Sequence, residues 1–340
     1  MDEAGIRERL TSVTDPDLDG DIIELNLVRD ISLEDDRVVV DVALGAVGSD
    51  TEAAIIDEIE HTLADLDHAV EIVTSGPGAD KELEEALGSV SNVIAVASGK
   101  GGVGKTTVSV NLAAGLADRG ASVGLFDADV YGPNAPLMVG ETGTPAVTEE
   151  ERLVPPEAHG VKVMSMAYLV GEDDPVIWRG PMVHKVITQL WEDVEWGELD
   201  YLVIDLPPGT GDTQLTLLQT IPLTGAVIVT TPQSVALHDA TKGLEMFARH
   251  ETNVLGIVEN MAGFTCPDCG SVHDIFDTGG GQRLAESHQL PFLGSVPIDP
   301  SIRTEGMPAV LVDDNEAASS FRDIVSGVAD SVGIVNRRRA

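Results

Sequence analysis

Gly99-Lys100-Gly101-Gly102-Val103-Gly104-Lys105-Thr106-Thr107 is the stretch on which the fold turns. An apolar run, Val93-Ile94-Ala95-Val96-Ala97, leads into it, and a helical pattern, Val108 to Leu116, leads out. Strand, glycine loop and helix, in that order, are the context of a phosphate-binding P-loop. Backbone N–H groups of such a loop, with the positive end of the helix behind them, form a concave anion site. Residues Gly99 through Thr107 are therefore the expected nucleotide-binding residues. Lys105 places a cation at the β- and γ-phosphates of ATP, and Thr106 a hydroxyl at Mg²⁺.

Beyond that loop, apolar runs alternate with helical segments. Candidate strands are Val93–Ala97, Val123–Asp127, Val161–Ser165, Tyr201–Asp205, Ala226–Thr230 and Val254–Glu259. Continuous apolar strands separated by helices imply an α/β fold with a mainly parallel, doubly wound sheet. Ligands of such sheets bind at the carboxyl ends of the strands. Asp127-Ala128-Asp129 closes the second strand, and Leu202-Val203-Ile204-Asp205 ends another in an acid, the Walker B pattern. Acids at strand ends beside a nucleotide serve Mg²⁺ and the attacking water, as phosphoryl transfer requires. Thr106, Asp127 and Asp205 are thus the expected Mg²⁺ residues, with Lys105 the expected catalytic cation and Asp129 the second acid near the attacking water.

The 340 residues imply two domains, or one large domain with an appendage. Residues 1–75 read as a small α/β unit, 76–92 as a linker and 93–340 as the nucleotide domain. In the first segment Glu3 to Leu10 and Glu52 to Leu66 read as helices. Val38–Val42 and Val70–Val73 read as strands.

Acids number 58 against 20 Lys and Arg, a formal net charge of −38. Such a balance disfavours nucleic acid, whose affinity comes largely from basic residues at phosphates, and an anionic membrane surface. Only six of the basic residues are lysines. Self-repulsion at this density is relieved by salt, which shortens the Debye length to about 3 Å at 1 M. A salt-rich cytoplasm is the expected setting, with an unusually acidic mesophilic protein as the alternative. No stretch approaches the roughly 20 apolar residues of a membrane span, and Met1-Asp2-Glu3-Ala4-Gly5 lacks a signal-peptide pattern.

Lys100 sharpens the picture, because an ordinary P-loop does not need it. Lys100-Gly101-Gly102-Val103-Gly104-Lys105-Thr106 resembles the deviant P-loop of the family that holds MinD, ParA, the nitrogenase iron protein and the Mrp/ApbC proteins. In that family the first lysine reaches the partner's nucleotide, so the resemblance implies a homodimer with Lys100 acting in trans. Asp205-Leu206-Pro207-Pro208-Gly209-Thr210-Gly211-Asp212 resembles switch II of the Mrp/ApbC branch. There Gly209 offers a backbone N–H to the γ-phosphate. Trp178-Arg179-Gly180-Pro181-Met182 and Trp196 to Tyr201 fit the same branch. The resemblance also implies that Asp129 orients water and that Asp127 supports Mg²⁺ or the loop. It places Asn260 at the adenine edge, which an amide matches, and Val296-Pro297-Ile298-Asp299 in a loop beside the base.

The first segment resembles the small domain that often precedes Mrp ATPases and occurs alone in iron–sulfur assembly factors. That match rests on Asp15-Pro16-Asp17 and Ile23 to Val28. The chain has Gly48-Ser49-Asp50 where the family commonly carries a cysteine, so a docking or spacer module is expected rather than a metal site.

Cys266-Pro267-Asp268-Cys269 contains both cysteines of the chain. Two thiolates supply one edge of a site that usually takes four. A symmetric dimer supplies four and places a 4Fe–4S cluster on the two-fold axis. The motif follows Asn260, as in Mrp/ApbC scaffolds with a bridging cluster. The resemblance therefore implies an ATP-hydrolysing iron–sulfur cluster carrier with apo-proteins as clients. Zinc shared across the dimer or bound with His273, a structural knuckle, and a ParA/MinD-type positioning ATPase are the alternatives. Gly279-Gly280-Gly281 reads as a flexible entry to a helix, and Ala317 to Val332 as an amphipathic helix packed on the sheet.

Overall fold

A computed structural model of the chain describes residues 2–340 apart from 35–36, 67, 77–89, 131, 141–142, 170–192, 267–268, 270, 304–305 and 313–314. Most of the expected linker and the Trp178–Met182 motif lie outside the described residues. Two compact units are present: residues 1–81 with 329–340, and residues 82–328. The sequence-based division assigned the whole C-terminus to the nucleotide domain. In the structure its last residues belong with the first unit.

The first unit contains α1 (Glu3–Leu10), β1 (Val28–Glu34), β2 (Arg37–Val42), α2 (Asp50–Leu63) and β3 (Ala69–Thr74). Strand β2 pairs antiparallel with β1 and parallel with β3. Val38, Val40 and Val42 alternate along β2 and are buried, the period-two pattern of a half-buried strand. They meet Ile55, Ile59 and Leu63, spaced one helical turn apart on α2. Ser49 caps α2, its hydroxyl accepting the Glu52 N–H at 3.1 Å. Strand β1 was not expected. A register shift between Val28 and Asp30 breaks its alternation, which hides a strand from a period-two reading.

The second unit is built on β4 (Val90–Ser98), α3 (Lys105–Asp118), β5 (Val123–Asp127), β6 (Val161–Ser165), β7 (Leu199–Asp205) and α4 (Asp212–Thr220). It continues with β8 (Gly225–Thr230), α5 (Ser234–Arg249), β9 (Val254–Thr265), β10 (Val272–His273), α6 (Gly280–His288), β11 (Phe292–Ile298) and α7 (Glu316–Arg337), of which the residues from Ala329 on belong with the first unit. Parallel strands run in the order β6-β5-β7-β4-β8-β9-β11, and β10 folds back antiparallel on the end of β9. All six expected strands are present. Both faces of the sheet are covered, and β8 is buried along its whole length.

Strand β11 is an addition. Its Val296 to Ile298 are paired with β9, whereas sequence had placed them in a loop, because Gly294 and Pro297 weaken the strand signal. Helix α7 buries Phe321, Ile324, Val325 and Val328. A Cβ on Gly115 of α3 would stand 2.6 Å from Val325, and one on Gly294 of β11 would stand 3.3 Å from Ile324. The helix thus packs on α3 and the edge strand. Among the described residues no helix is long and apolar enough to cross a membrane.

Register positions the site. Asp205 is level with Asp127, and Ser165 is level with Asp127 on the other side. Three polar strand ends therefore line up beside the loop that follows β4.

Candidate functional site

Gly104 caps α3 in a left-handed conformation, φ +85°, which a glycine adopts at little cost. Lys105 then begins the helix, buried, with Nζ 2.7 Å from Asp205 Oδ2 and 3.8 Å from Asp129 Oδ2. The nearer contact is an ion pair without a well-aligned hydrogen bond, so the ammonium retains donors for a ligand. Thr106 donates its hydroxyl to Asp205 Oδ2 at 2.7 Å. Ser109 donates to Asp205 Oδ1 at 2.5 Å. Asp205, fully buried, is thus held by three side chains of one helix face.

Asp127 is buried beside it and accepts from the Ala135 N–H at 3.0 Å, the Asp129 N–H at 3.2 Å and the Ser165 hydroxyl at 3.0 Å. Burial first, and the neighbouring Asp205 charge second, push its carboxyl up to about 7. Those hydrogen bonds and Lys105 hold it back only in part. A site with more carboxylate than cation invites a further positive charge. Hard oxygen donors from Thr106 and Asp205, with Asp127 behind them, suit Mg²⁺.

The loop glycines differ in what they do. A Cβ on Gly99 would lie 2.2 Å from the Asp239 backbone of α5, so its smallness serves close packing of loop and helix. On Gly104 a Cβ would lie 2.0 Å from Asn260 Nδ2. Asn260 donates that Nδ2 to the Val103 carbonyl at 2.8 Å and accepts its own Met261 N–H on Oδ1 at 2.9 Å. Both ends of the amide are engaged inside the protein, and reading adenine requires exchange of one of these bonds. Lys100 is half-buried, and its charge contributes to lowering the Asp239 carboxyl, after the larger effects of Lys242 and His238. Gly209 donates its N–H to the Ser98 carbonyl at 2.9 Å, which keeps the start of the switch II segment against the P-loop.

Cys266 and Cys269 sit where β9 turns into β10. Phe264 and Thr265 pair with His273 and Val272, and the Cys266 N–H closes on the Ser271 carbonyl at 2.9 Å. Cys266 is half-buried and Cys269 exposed. The Cys269 thiol donates to the Ser271 hydroxyl at 3.4 Å. Its pKa is lowered, first by the Ser271 hydroxyl, which can turn to donate to the thiolate, then by the Ser271 backbone and by Cys266. Among the described residues no three of His, Cys, Asp and Glu converge as a metal group.

The glycine run 279–281 is occupied rather than loose. Glu259, buried midway along β9, accepts the N–H of Gly279 at 2.9 Å and of Gly281 at 2.5 Å. A carboxylate of the chain therefore caps the start of α6. Sequence reasoning also missed Ser109, Ser165 and Gln214. Ser109 lies one helical turn after Lys105, a spacing that places both on one face. Gln214 donates to the Pro207 carbonyl at 2.6 Å, a tie across switch II with no sequence signal.

Fold and site together define a P-loop NTPase. Residues 89–330 match the family model described as NUBPL iron-transfer P-loop NTPase, and residues 3–74 that of an iron–sulfur cluster assembly protein. An iron–sulfur cluster carrier protein of Synechocystis is 44% identical, over 95% of this chain and 94% of that one. Among solved structures, a nucleotide-binding protein of Archaeoglobus fulgidus in complex with ADP is 38% identical with a TM-score of 0.58, over 74% of this chain and 93% of that one. The cell division ATPase MinD of Pyrococcus furiosus is 25% identical with a TM-score of 0.53, over 70% and 98%. The chain belongs to the family of NUBPL-type iron-transfer P-loop NTPases, with an iron–sulfur assembly domain in front, among relatives named as iron–sulfur cluster carriers.

Proposed function

We propose that this protein binds and slowly hydrolyses ATP with Mg²⁺, and as a homodimer carries a 4Fe–4S cluster to apo-proteins. The observation that carries this reading is a thiol pair, Cys266 half-buried and Cys269 exposed, on a hairpin whose first cysteine lies six residues after a side chain bonded to the P-loop. Two thiolates per chain make half of a four-thiolate site, and a two-fold axis supplies the rest. The cluster is cargo, held by Cys266 and Cys269 of each subunit. Clients and a cytoplasmic location belong to the same proposal, as does a salt-rich setting, which the charge of −38 supports.

On the nucleotide side, N–H groups of Gly102 to Lys105 cradle the phosphates, and Lys105 neutralises charge on the transferring group. Mg²⁺ held by Thr106 and Asp205 would add positive charge at the phosphate oxygens. In this reading Asp129, 3.8 Å from Lys105 Nζ, orients water, and Lys100 acts on the partner's nucleotide, a role that the family resemblance supports.

Anaerobic reconstitution with iron and sulfide tests the cargo. Wild type is expected to acquire the broad visible absorption of an iron–sulfur cluster at about four irons per dimer, as a four-thiolate cluster requires, and Cys266→Ser to stay colourless. A colourless wild type that binds zinc overturns the reading, as does sedimentation as a monomer with nucleotide and iron present.

A further inference from the structure

Between Asn260 and Cys266 the backbone of β9 is irregular. Met261 has φ +60° and Gly263 φ +88°, and pairing with β11 loses register between Asn260 and Phe264. A left-handed methionine is uncommon and persists only where its surroundings hold it. Regular pairing resumes at Phe264 and Thr265, which carry the cysteine hairpin. Residues 261–263 therefore form a jointed segment with one tether on each side.

The upstream tether is Asn260 on the Val103 carbonyl, 2.8 Å. This peptide unit also contains the Gly104 N–H, one of the loop's anion donors. The bond is trans, as are all those described, so its C=O and N–H point in opposite directions. Holding the carbonyl fixes where the N–H points. The contact is intimate, for Asn260 Nδ2 occupies the place a Gly104 side chain would need. Glu259, one residue earlier, is locked to the start of α6 by the Gly279 and Gly281 N–H groups. Motion at Asn260 therefore has an anchored strand behind it and a jointed one ahead.

We propose that Asn260 is a positioning residue that couples the phosphate-binding loop to the thiol hairpin. Phosphate oxygens that turn the Val103–Gly104 peptide move Asn260, and residues 261–263 pass that movement to Cys266 and Cys269. The inference rests on the carrier reading for its purpose, but its test needs no cluster.

Full-length, fully reduced protein without iron is treated with a disulfide reagent such as DTNB, with and without ADP and Mg²⁺ at concentrations that saturate each variant. Wild-type thiol reaction is expected to change about fivefold or more on nucleotide binding, the lower range of ordinary coupling between sites. In Asn260→Ala the ratio falls to about one, and likewise in Asn260→Asp, which keeps the shape but cannot donate to a carbonyl. A wild-type ratio of one, or a variant that keeps the wild-type ratio, overturns the proposal. Hydrogen exchange on wild type, without any substitution, gives a second check: amides of 261–265 must change protection with nucleotide, and unchanged protection is equally fatal. Nucleotide-dependent thiol rates in a wild type that never takes up iron would remove the carrier reading and leave this coupling standing.

Discussion

Each of the two units buries one basic side chain among carboxylates, and the two arrangements differ in kind. In the first unit Arg337, fully buried, donates Nε to Asp15 at 2.6 Å, Nη2 to Asp17 at 2.6 Å and Nη1 to Glu52 at 3.3 Å. Each arm of a rigid planar fork has an acceptor. Burial raises the Glu52 pKa, and the Ala46 N–H with Arg337 opposes that rise. In the second unit Lys105 is a point charge on a flexible stem, close to Asp205 and more distant from Asp129. There the neighbouring Asp127 is left with a carboxyl pushed up to about 7. A saturated fork closes a structure, whereas an undersaturated lysine among acids leaves work for a ligand. The Arg337 cluster reads as a clasp and the Lys105 cluster as a site.

Three experiments can break or sharpen this contrast. The largest effect belongs to Lys105→Ala. ATP turnover is expected to fall on the order of 10³-fold, the scale of a cation at a transferring phosphoryl group. Phosphate release measures it, and turnover near wild type would make Lys105 structural.

Arg337→Ala comes next. Removing one partner of a buried ion cluster typically costs about 3–5 kcal/mol. The loss should appear as faster hydrogen exchange through residues 3–63 while ATP turnover of the second unit stays within about twofold, a change worth less than 0.5 kcal/mol. Unchanged exchange in the first unit would mean the clasp holds nothing.

The smallest effect is a pH slope at Asp127. Its folded pKa, about 7, exceeds the unfolded value of about 3.9. The folded state therefore binds more protons in that window, and this contribution to stability is full below pH 4 and lost as pH rises through 7. Asp127→Asn removes it. Comparing wild type and variant by denaturant unfolding from pH 4 to 7, the slopes should differ by up to about 1.4 kcal/mol per pH unit. Parallel curves would show that Asp127 is charged throughout.

The N-terminal clasp also marks where sequence stops informing. Arg337 lies beyond the amphipathic pattern of Ala317 to Val332, and Asp15-Pro16-Asp17 stands near the start of the chain. Nothing local joins residues 322 positions apart. Strand β1 and strand β11 escaped for another reason: a bulge and a Gly–Pro interruption erase the period that pattern reading depends on. Ser109 was within reach, since helical spacing alone puts it beside Lys105. Ser165 was not, because its partnership with Asp127 is a matter of strand register.

What the amino-acid order determines by itself is the chemistry that contiguous backbone can perform. A glycine loop between strand and helix presents its own N–H groups, a strand end presents its own acid, and Cys-x-x-Cys sets two thiols side by side. Tertiary structure decides which of these meet. The parallel register that levels Asp127 with Asp205, and the bond from Asn260 to a carbonyl 157 residues away, depend on long-range packing. Such contacts exist only after the whole sheet has closed, because burial of both its faces, and no single local preference, selects the register.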